Sequence, residues 1–310
     1  MDFDTSNLNQ YVGAHAGWPF ADYAKFPAVN ASLLKRLADT NPLKTQHSLT
    51  EPEEEEVPEY FIIGTCVHQL VLEPDRPLPA MAVPPKQYPA PADCSLVKQK
   101  KVAAGDMIDW SGNATYCKQW IAEQKAAGKL VLSERAYEAM HGMARAIARH
   151  KTARRFFEMR DGRSELTLVW QDRQTGLYCK ARADWVPPAP STDLPDIKTS
   201  RDANPKFWSK TAFDLFYHIQ AAHYLIGWNT LNGPTDTRSQ WPIICVESEA
   251  PYDVVVFHPE PEWINDGAEM RRRLLELWAD CIMHNTFPGY AEDPMPLVLP
   301  DWRKREKGML

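Results

Sequence analysis

Polar and apolar residues alternate with a period of two between Gly176 and Trp185, as they do in strands. Over Gly176 to Trp185 (GLYCKARADW) the alternation places Lys180, Arg182 and Asp184 on one face and Cys179, Ala181 and Ala183 on the other. Pro187, Pro188, Pro190 and Pro195 follow, and proline tolerates neither a continuing helix nor a central strand, so a turn is expected there. The chain re-enters as Asp196 to Thr199 (DIKT), with Asp196 and Lys198 pointing one way and Ile197 into the core. With Glu165 to Trp170 these segments predict a sheet, in which a hairpin sets Asp184 beside Asp196.

Elsewhere apolar residues recur every three to four positions, the helical spacing. A short helix opens at Asn30 or Ser32, either a suitable N-cap. An apolar helix, Tyr60 to Leu72, carries Gly64 and His68 and stops at Pro74. Helices are also expected over 113–129, from Ser133 to about Phe157, from Phe207 to Leu231 and from Pro261 to Asn285. Strands are expected over Trp241 to Glu247 and Tyr252 to His258. Residues 1–28 read as an irregular arm, and 303–310 as a frayed basic tail. Residues 75–112, with prolines at 77, 79, 84, 85, 89 and 91, read as a long connection with little regular structure. Helices, then three strands, a helix, two strands and a helix, in that order, predict one α/β domain over 29–302.

Composition narrows the class. With 310 residues, 44% hydrophobic and 25% charged, the chain has the make-up of a globular protein with ample core. A net charge of -6 argues against indiscriminate coating of nucleic acid. A locally basic groove remains open, because much of the acid lies in one run, Glu51 to Glu56, read as a solvated loop. Six widely spaced cysteines without a Cys-x-x-Cys pair argue against a zinc ribbon or a disulfide-stapled fold. They suit free thiols in a reducing cytoplasm. The start MDFD lacks the basic and apolar regions of a signal peptide, and no apolar stretch is long enough to span a bilayer. A cytoplasmic protein with no membrane partner is expected.

Candidate chemistry centres on Asp184, Asp196 and Lys198. Magnesium takes a few carboxylate oxygens and keeps its other positions for water and phosphate. A lysine alongside can steady charge that builds on phosphorus. Asp/Glu-x-Lys alone is a weak signal. A second copy, Glu123 to Lys125, falls in a helical run, where residues two apart diverge. An ordinary surface ion pair remains the rival reading of the first copy. Gln220 and Tyr224, four apart on a helix, share a face and could orient Lys198 or grip a phosphate. His68 could complete a shell of carboxylates, a set better suited to manganese than to magnesium, and Glu165 is a further site carboxylate. Arg145 and Arg149 belong to a basic helix face that is either solvated or a ridge for phosphates. Lys35, Arg36 and Arg182 are further candidates for DNA contact.

Four segments then occur in a fixed order: Gly64 to Pro74 (GTCVHQLVLEP), Cys179 to Trp185 (CKARADW), Asp196 to Thr199 (DIKT) and Tyr217 to Tyr224 (YHIQAAHY). With GKLVLS at 128–133, VESEAPY at 246–252, FPGY at 287–290 and LPDW at 299–302, they resemble the exonuclease VIII (RecE-type) nucleases. These belong to the PD-(D/E)XK superfamily, with lambda-type exonucleases and RecB nuclease domains. The resemblance runs from about Ala31 to Trp302 and implies a restriction-endonuclease-like fold, a central mixed sheet flanked by helices. It implies metal binding by His68, Asp184, Asp196 and the Ile197 carbonyl, Lys198 as catalytic lysine, and Gln220 and Tyr224 as the Gln-x-x-x-Tyr motif. Ala183 stands where proline often precedes the first acid. The implied activity is a magnesium-dependent 5′-to-3′ exonuclease on duplex DNA ends, acting by direct attack of water, releasing 5′-mononucleotides and leaving a 3′ single strand. Ring-shaped homo-oligomers, a single-strand annealing partner and a phage or prophage recombination setting are implied with it. No iron–sulfur cluster is expected, since only Cys281 lies in the C-terminal region. The alternatives are a single-strand or structure-specific nuclease of the same superfamily and a catalytically silent DNA-binding module.

Overall fold

The computed structural model describes residues 1–51 and 57–309, so the acidic run beyond Glu51 lies outside the described residues. The first 28 residues are not an irregular arm. They contain β1 (Gly13–His15) and α1 (Phe20–Lys25), and they bury Tyr23 and Phe26. α2 (Ala31–Asp39) and α3 (Pro42–Thr50) begin at Asn30 and Asn41, whose side chains accept the N–H groups of Leu33 and Lys44. α4 (Glu59–Leu72) matches the apolar helix read from the sequence.

The proline-rich connection holds short elements: β2 (Met81–Ala82), β3 (Gln87–Pro89), α5 (Ser95–Lys98) and β4 (Met107–Asp109). β3 and β4 pair antiparallel, and β2 pairs parallel with β5 (Leu130–Val131), which follows α6 (Thr115–Ala126). α7 (Glu134–Arg149) starts at the Ser133 cap as expected but stops at His150. There the imidazole Nδ1 accepts the Ala153 N–H and starts a separate short helix, α8 (Ala153–Phe157).

β6 (Arg163–Gln171) and β7 (Tyr178–Val186) form an antiparallel hairpin, and β1 adds to the free edge of β6. The second three-stranded unit follows from β8 (Asp196–Ser200). β8 pairs parallel with β9 (Ile243–Glu247), which pairs antiparallel with β10 (Val254–Phe257). The expected hairpin between β7 and β8 is therefore not formed. The two strands lie in different hydrogen-bonded sheets and meet only at the end of β7. The expected helix from Phe207 to Leu231 is two, α9 (Pro205–Asp214) and α10 (Tyr217–Asn232), divided at Phe216 with φ +55°. α11 (Pro261–His284) follows, and the tail forms α12 (Asp301–Glu306).

Helices cover both faces. Leu166, Leu168, Trp170, Cys179, Ala181, Ile243 and Cys245 pack with α2, α10 and α11, whereas Ile197, Ile244 and Val246 pack with α4 and α7. β9 is thus apolar at every position from 243 to 246 because it is buried on both sides. No helix among the described residues is long and apolar enough to cross a membrane.

Candidate active site

The polar face of β7 builds the site. Its alternation holds as expected: Cys179, Ala181 and Ala183 enter the core, while Lys180, Arg182 and Asp184 face the other way. Each polar side chain is claimed by a different part of the chain. Lys180 Nζ donates to the carbonyls of Tyr23 (2.6 Å), Ala24 (3.1 Å) and Phe26 (2.6 Å), at the C-terminus of α1 where carbonyls lack partners. Arg182 Nε donates to Glu165 Oε2 at 2.5 Å and its Nη1 to the Trp18 carbonyl at 2.7 Å. Asp184 Oδ2 accepts the Ile197 N–H at 2.8 Å. That bond joins the two sheets where β7 and β8 part, and it brings both aspartates into one site without a hairpin.

His68 reaches the same point from the middle of α4. Its Nε2 lies 3.1 Å from the Ile197 carbonyl, and its Nδ1 3.5 Å from Asp184 Oδ2. Glu165 and Asp184 are unpaired in the β6–β7 register, between the pairs Ser164↔Trp185 and Leu166↔Ala183, and Glu165 carries φ +50°. A non-glycine residue in that region costs on the order of 1–3 kcal/mol and persists where its surroundings over-determine it. Donor atoms of His68, Glu165 and Asp184 all lie within 4.8 Å of one another.

Asp196 is buried, and its charge bears on Asp184. Its Oδ1 accepts from Gln220 Nε2 at 3.2 Å, and its Oδ2 is in ion-pair contact with Lys198 Nζ. Gln220 Oε1 in turn accepts from Lys35 Nζ at 2.6 Å. Lys35 and Lys198 stand over the Tyr217 ring, at 4.5 and 5.0 Å from its centroid, and Lys198 is also 5.5 Å from the Trp241 ring centroid. Such contacts favour the charged ammonium.

Burial pushes the Asp184 carboxyl up to about 7, reinforced by Asp196 and opposed by His68 and Lys198. Burial works against the Lys198 ammonium, but Asp196 and then Asp184 outweigh it and hold its pKa above the usual lysine value. Lys198 therefore stands as a permanent cation and not as a base. Lys35 goes the other way: burial, then the neighbouring Lys198 charge, brings it down to about 7.

An imidazole and two carboxylates with overlapping reach, one of them pushed up chiefly by burial and further by the neighbouring Asp196, fit a divalent cation. His68, Glu165 and Asp184 would hold it, with Asp196 and the Ile197 carbonyl adjacent.

The remaining expected residues divide between the border of the site and the surface. Tyr224 is buried one turn beyond Gln220, its ring 6.3 Å from Trp241, and its hydroxyl pKa is raised well above normal, chiefly by burial. Its ring packs in the core, while its hydroxyl feels the charges of Asp196 and Asp184 and so borders the site. Arg182, a candidate phosphate contact, is committed to Glu165 and Trp18 and is not free for DNA. Arg36, Arg145 and Arg149 are exposed and make no side-chain contact with the site among the described residues. Glu165, the weakest expected carboxylate, belongs to the tightest cluster. Tyr217 and Trp241 were not singled out for a role. A Tyr three residues before Gln220 on one helix was the only available signal for the first, and none marked the second.

Residues 30–294 match the family described as a PDDEXK-like domain of unknown function (DUF3799). Nucleases with PDDEXK domains are generally dependent on divalent metal ions. Among curated proteins none matches the chain. Among solved structures, the chain is similar to a putative exonuclease from Eubacterium rectale, with a TM-score of 0.50 over 96% of this chain and 97% of that one, at 12% identity. That likeness, over nearly the full length of both chains, supports a restriction-endonuclease-like fold. With the family match covering most of its length, the chain belongs to the PDDEXK-like DUF3799 family.

Proposed function

We propose that the protein is a divalent-metal-dependent exonuclease that degrades linear duplex DNA from its 5′ ends to 5′-mononucleotides and leaves 3′ single strands. The observation that carries the nuclease reading is the Asp184–Ile197 bond. It closes the gap between β7 and β8 and so puts His68, Glu165, Asp184, Asp196 and Lys198 around one point. Duplex specificity and polarity come from the resemblance of the ordered motifs to RecE-type nucleases.

A divalent cation, magnesium or manganese, would supply positive charge at the scissile phosphate when bound. The chain's own residues do the remainder. Asp196 holds the Lys198 ammonium, whose fixed charge stabilises the negative charge that gathers on phosphorus. Gln220 ties Asp196 to Lys35, which presents a second ammonium about the Tyr217 ring for a phosphate oxygen. The Asp184 carboxyl, held up to about 7, has a proton to give up as a cation arrives. The family resemblance further suggests a ring of several copies working beside a single-strand annealing protein. A solution mass several times the 35.4 kDa chain would support the ring.

The test is digestion of end-labelled linear duplex in Mg2+, with and without a 5′-phosphate, beside a nicked circle and a single strand. Early release of 5′ label from the linear duplex alone is expected. Digestion of the single strand or the circle instead would assign a different substrate to the same chemistry. Lys198→Ala should retain DNA binding and lose cleavage by a factor on the order of 10² or more. Undiminished cleavage by that variant would remove the mechanism.

A further inference from the structure

The N-terminal segment has no place in the chemistry above, yet it is fastened to the sheet that carries Asp184 by three separate devices. β1 extends the sheet through pairs Gly13↔Val169 and His15↔Thr167. Val29 bridges to Cys179, with the Val29 N–H donating to the Tyr178 carbonyl and the Lys180 N–H to the Val29 carbonyl. The Lys180 ammonium then caps α1 from below, through the three carbonyls named above. Between these fixings Trp18 stacks on His15 at 4.6 Å and packs against Phe3 and Phe26 at 5.3 and 5.7 Å between ring centroids. The Trp18 carbonyl is thereby a fixed acceptor, and it is met by Arg182 Nη1.

The other side of the same guanidinium holds Glu165. Nε donates to Glu165 Oε2, while Nη1 also lies 3.5 Å from Thr167 Oγ1. A guanidinium is planar, with its donors at fixed angles, so anchoring one nitrogen fixes where another can place a carboxylate. Glu165 needs such a hold. Its backbone is in the left-handed region, and its carboxylate faces the like charge of Asp184, which would drive a free side chain towards solvent. Engaging Oε2 leaves Oε1 for a cation.

We propose that Arg182 is a positioning residue that uses the N-terminal segment as its anchor to hold the Glu165 carboxylate at the cation site. The inference rests on the cation reading given under the proposed function. Two effects of removing Arg182 oppose each other. Loss of a positive charge beside the site would tighten cation binding, whereas loss of the fork would release Glu165 and weaken it. Partners that orient a ligand are worth 10- to 100-fold in metal affinity, roughly, so release should win.

Mn2+ binding to the 310-residue chain, followed by titration calorimetry without DNA, separates the two. Arg182→Met and Arg182→Lys should each raise the Mn2+ dissociation constant about tenfold or more, because lysine keeps the charge but not the fork. Trp18→Ala, which leaves every candidate ligand in place, should raise it in the same direction by loosening the anchor. In a Glu165→Gln background, Arg182→Met should add little further loss, since the group it positions is already gone. Arg182→Lys serves as the folding control for the methionine variant, and circular dichroism checks both. Equal or tighter Mn2+ binding by Arg182→Met and Arg182→Lys overturns the inference, as does full additivity with Glu165→Gln or an unaltered Trp18→Ala. A wild-type protein that binds no Mn2+ would instead remove the cation site, and this inference with it.

Discussion

Lys35 is a side chain whose charge responds to solution pH near neutrality. Its pKa of about 7 lies below the ordinary 10.5 because it is buried beside Lys198. Between those values the unfolded chain holds the proton and the folded one does not, so this group makes stability rise with pH across that window. A bound phosphate would favour the ammonium, so above pH 7 DNA must bind together with a proton. Wild-type affinity for a duplex end, measured by anisotropy without catalysis, should weaken up to about tenfold per pH unit between 7 and 9. Lys35→Arg stays charged throughout and should flatten that dependence; a wild-type profile with the same slope as the variant would take Lys35 out of the binding site. At this scale the sequence revealed chemistry better than placement. Asp184, Asp196 and Lys198 were legible because strand alternation gives direction as well as identity. The commitment of Arg182 to Glu165 and Trp18 was not, since those partners are 17 and 164 residues away along the chain.

The elements show where local pattern suffices and where it fails. α4, α7 and α11 announce themselves through apolar spacing and their starts, and the two-sided burial of β9 shows as an uninterrupted apolar run. The break between α9 and α10 has no proline or glycine to mark it, because Phe216 takes the left-handed turn that such residues usually supply. That break re-aims α10 so that Tyr217 and Gln220 meet Lys35, Lys198 and Asp196. The helix is then held by α11 at Gly267, where a Cβ would fall 2.0 Å from the His218 carbonyl oxygen. Alanine is the better helix former by about 1 kcal/mol. The clash is with backbone, however, which cannot step aside as a side chain can. Gly267→Ala is therefore expected to destabilise by about 1–3 kcal/mol, read as a lower denaturant midpoint at unchanged slope. A midpoint that rises would mean that the α10–α11 packing is looser than this contact implies.

At the scale of the whole molecule, a chain of net charge -6 is expected to hold a polyanion. The N-terminal segment escaped the sequence reading because its strand and helix are only three and six residues long, too short for a period to show. Its docking nevertheless completes the polar face of β7 and consumes Lys180 and Arg182 internally, so these cations do not add to a DNA-binding surface. What remains at the site is a small number of ammonium groups set among carboxylates. Binding should accordingly depend on a few close phosphate contacts rather than on long-range attraction. Counterion release makes the logarithm of affinity fall with the logarithm of salt by about 0.9 for each phosphate neutralised on a duplex. The slope at pH 6.5, where Lys35 is charged, should thus be shallow, and Lys35→Met should reduce it by about one contact. Arg182→Met should leave the slope unchanged, because that guanidinium neutralises Glu165 and not DNA. A slope that drops equally for both variants would show that Arg182 leaves its internal partners when DNA arrives, and the closed arrangement of the N-terminal segment would then belong to the free protein alone.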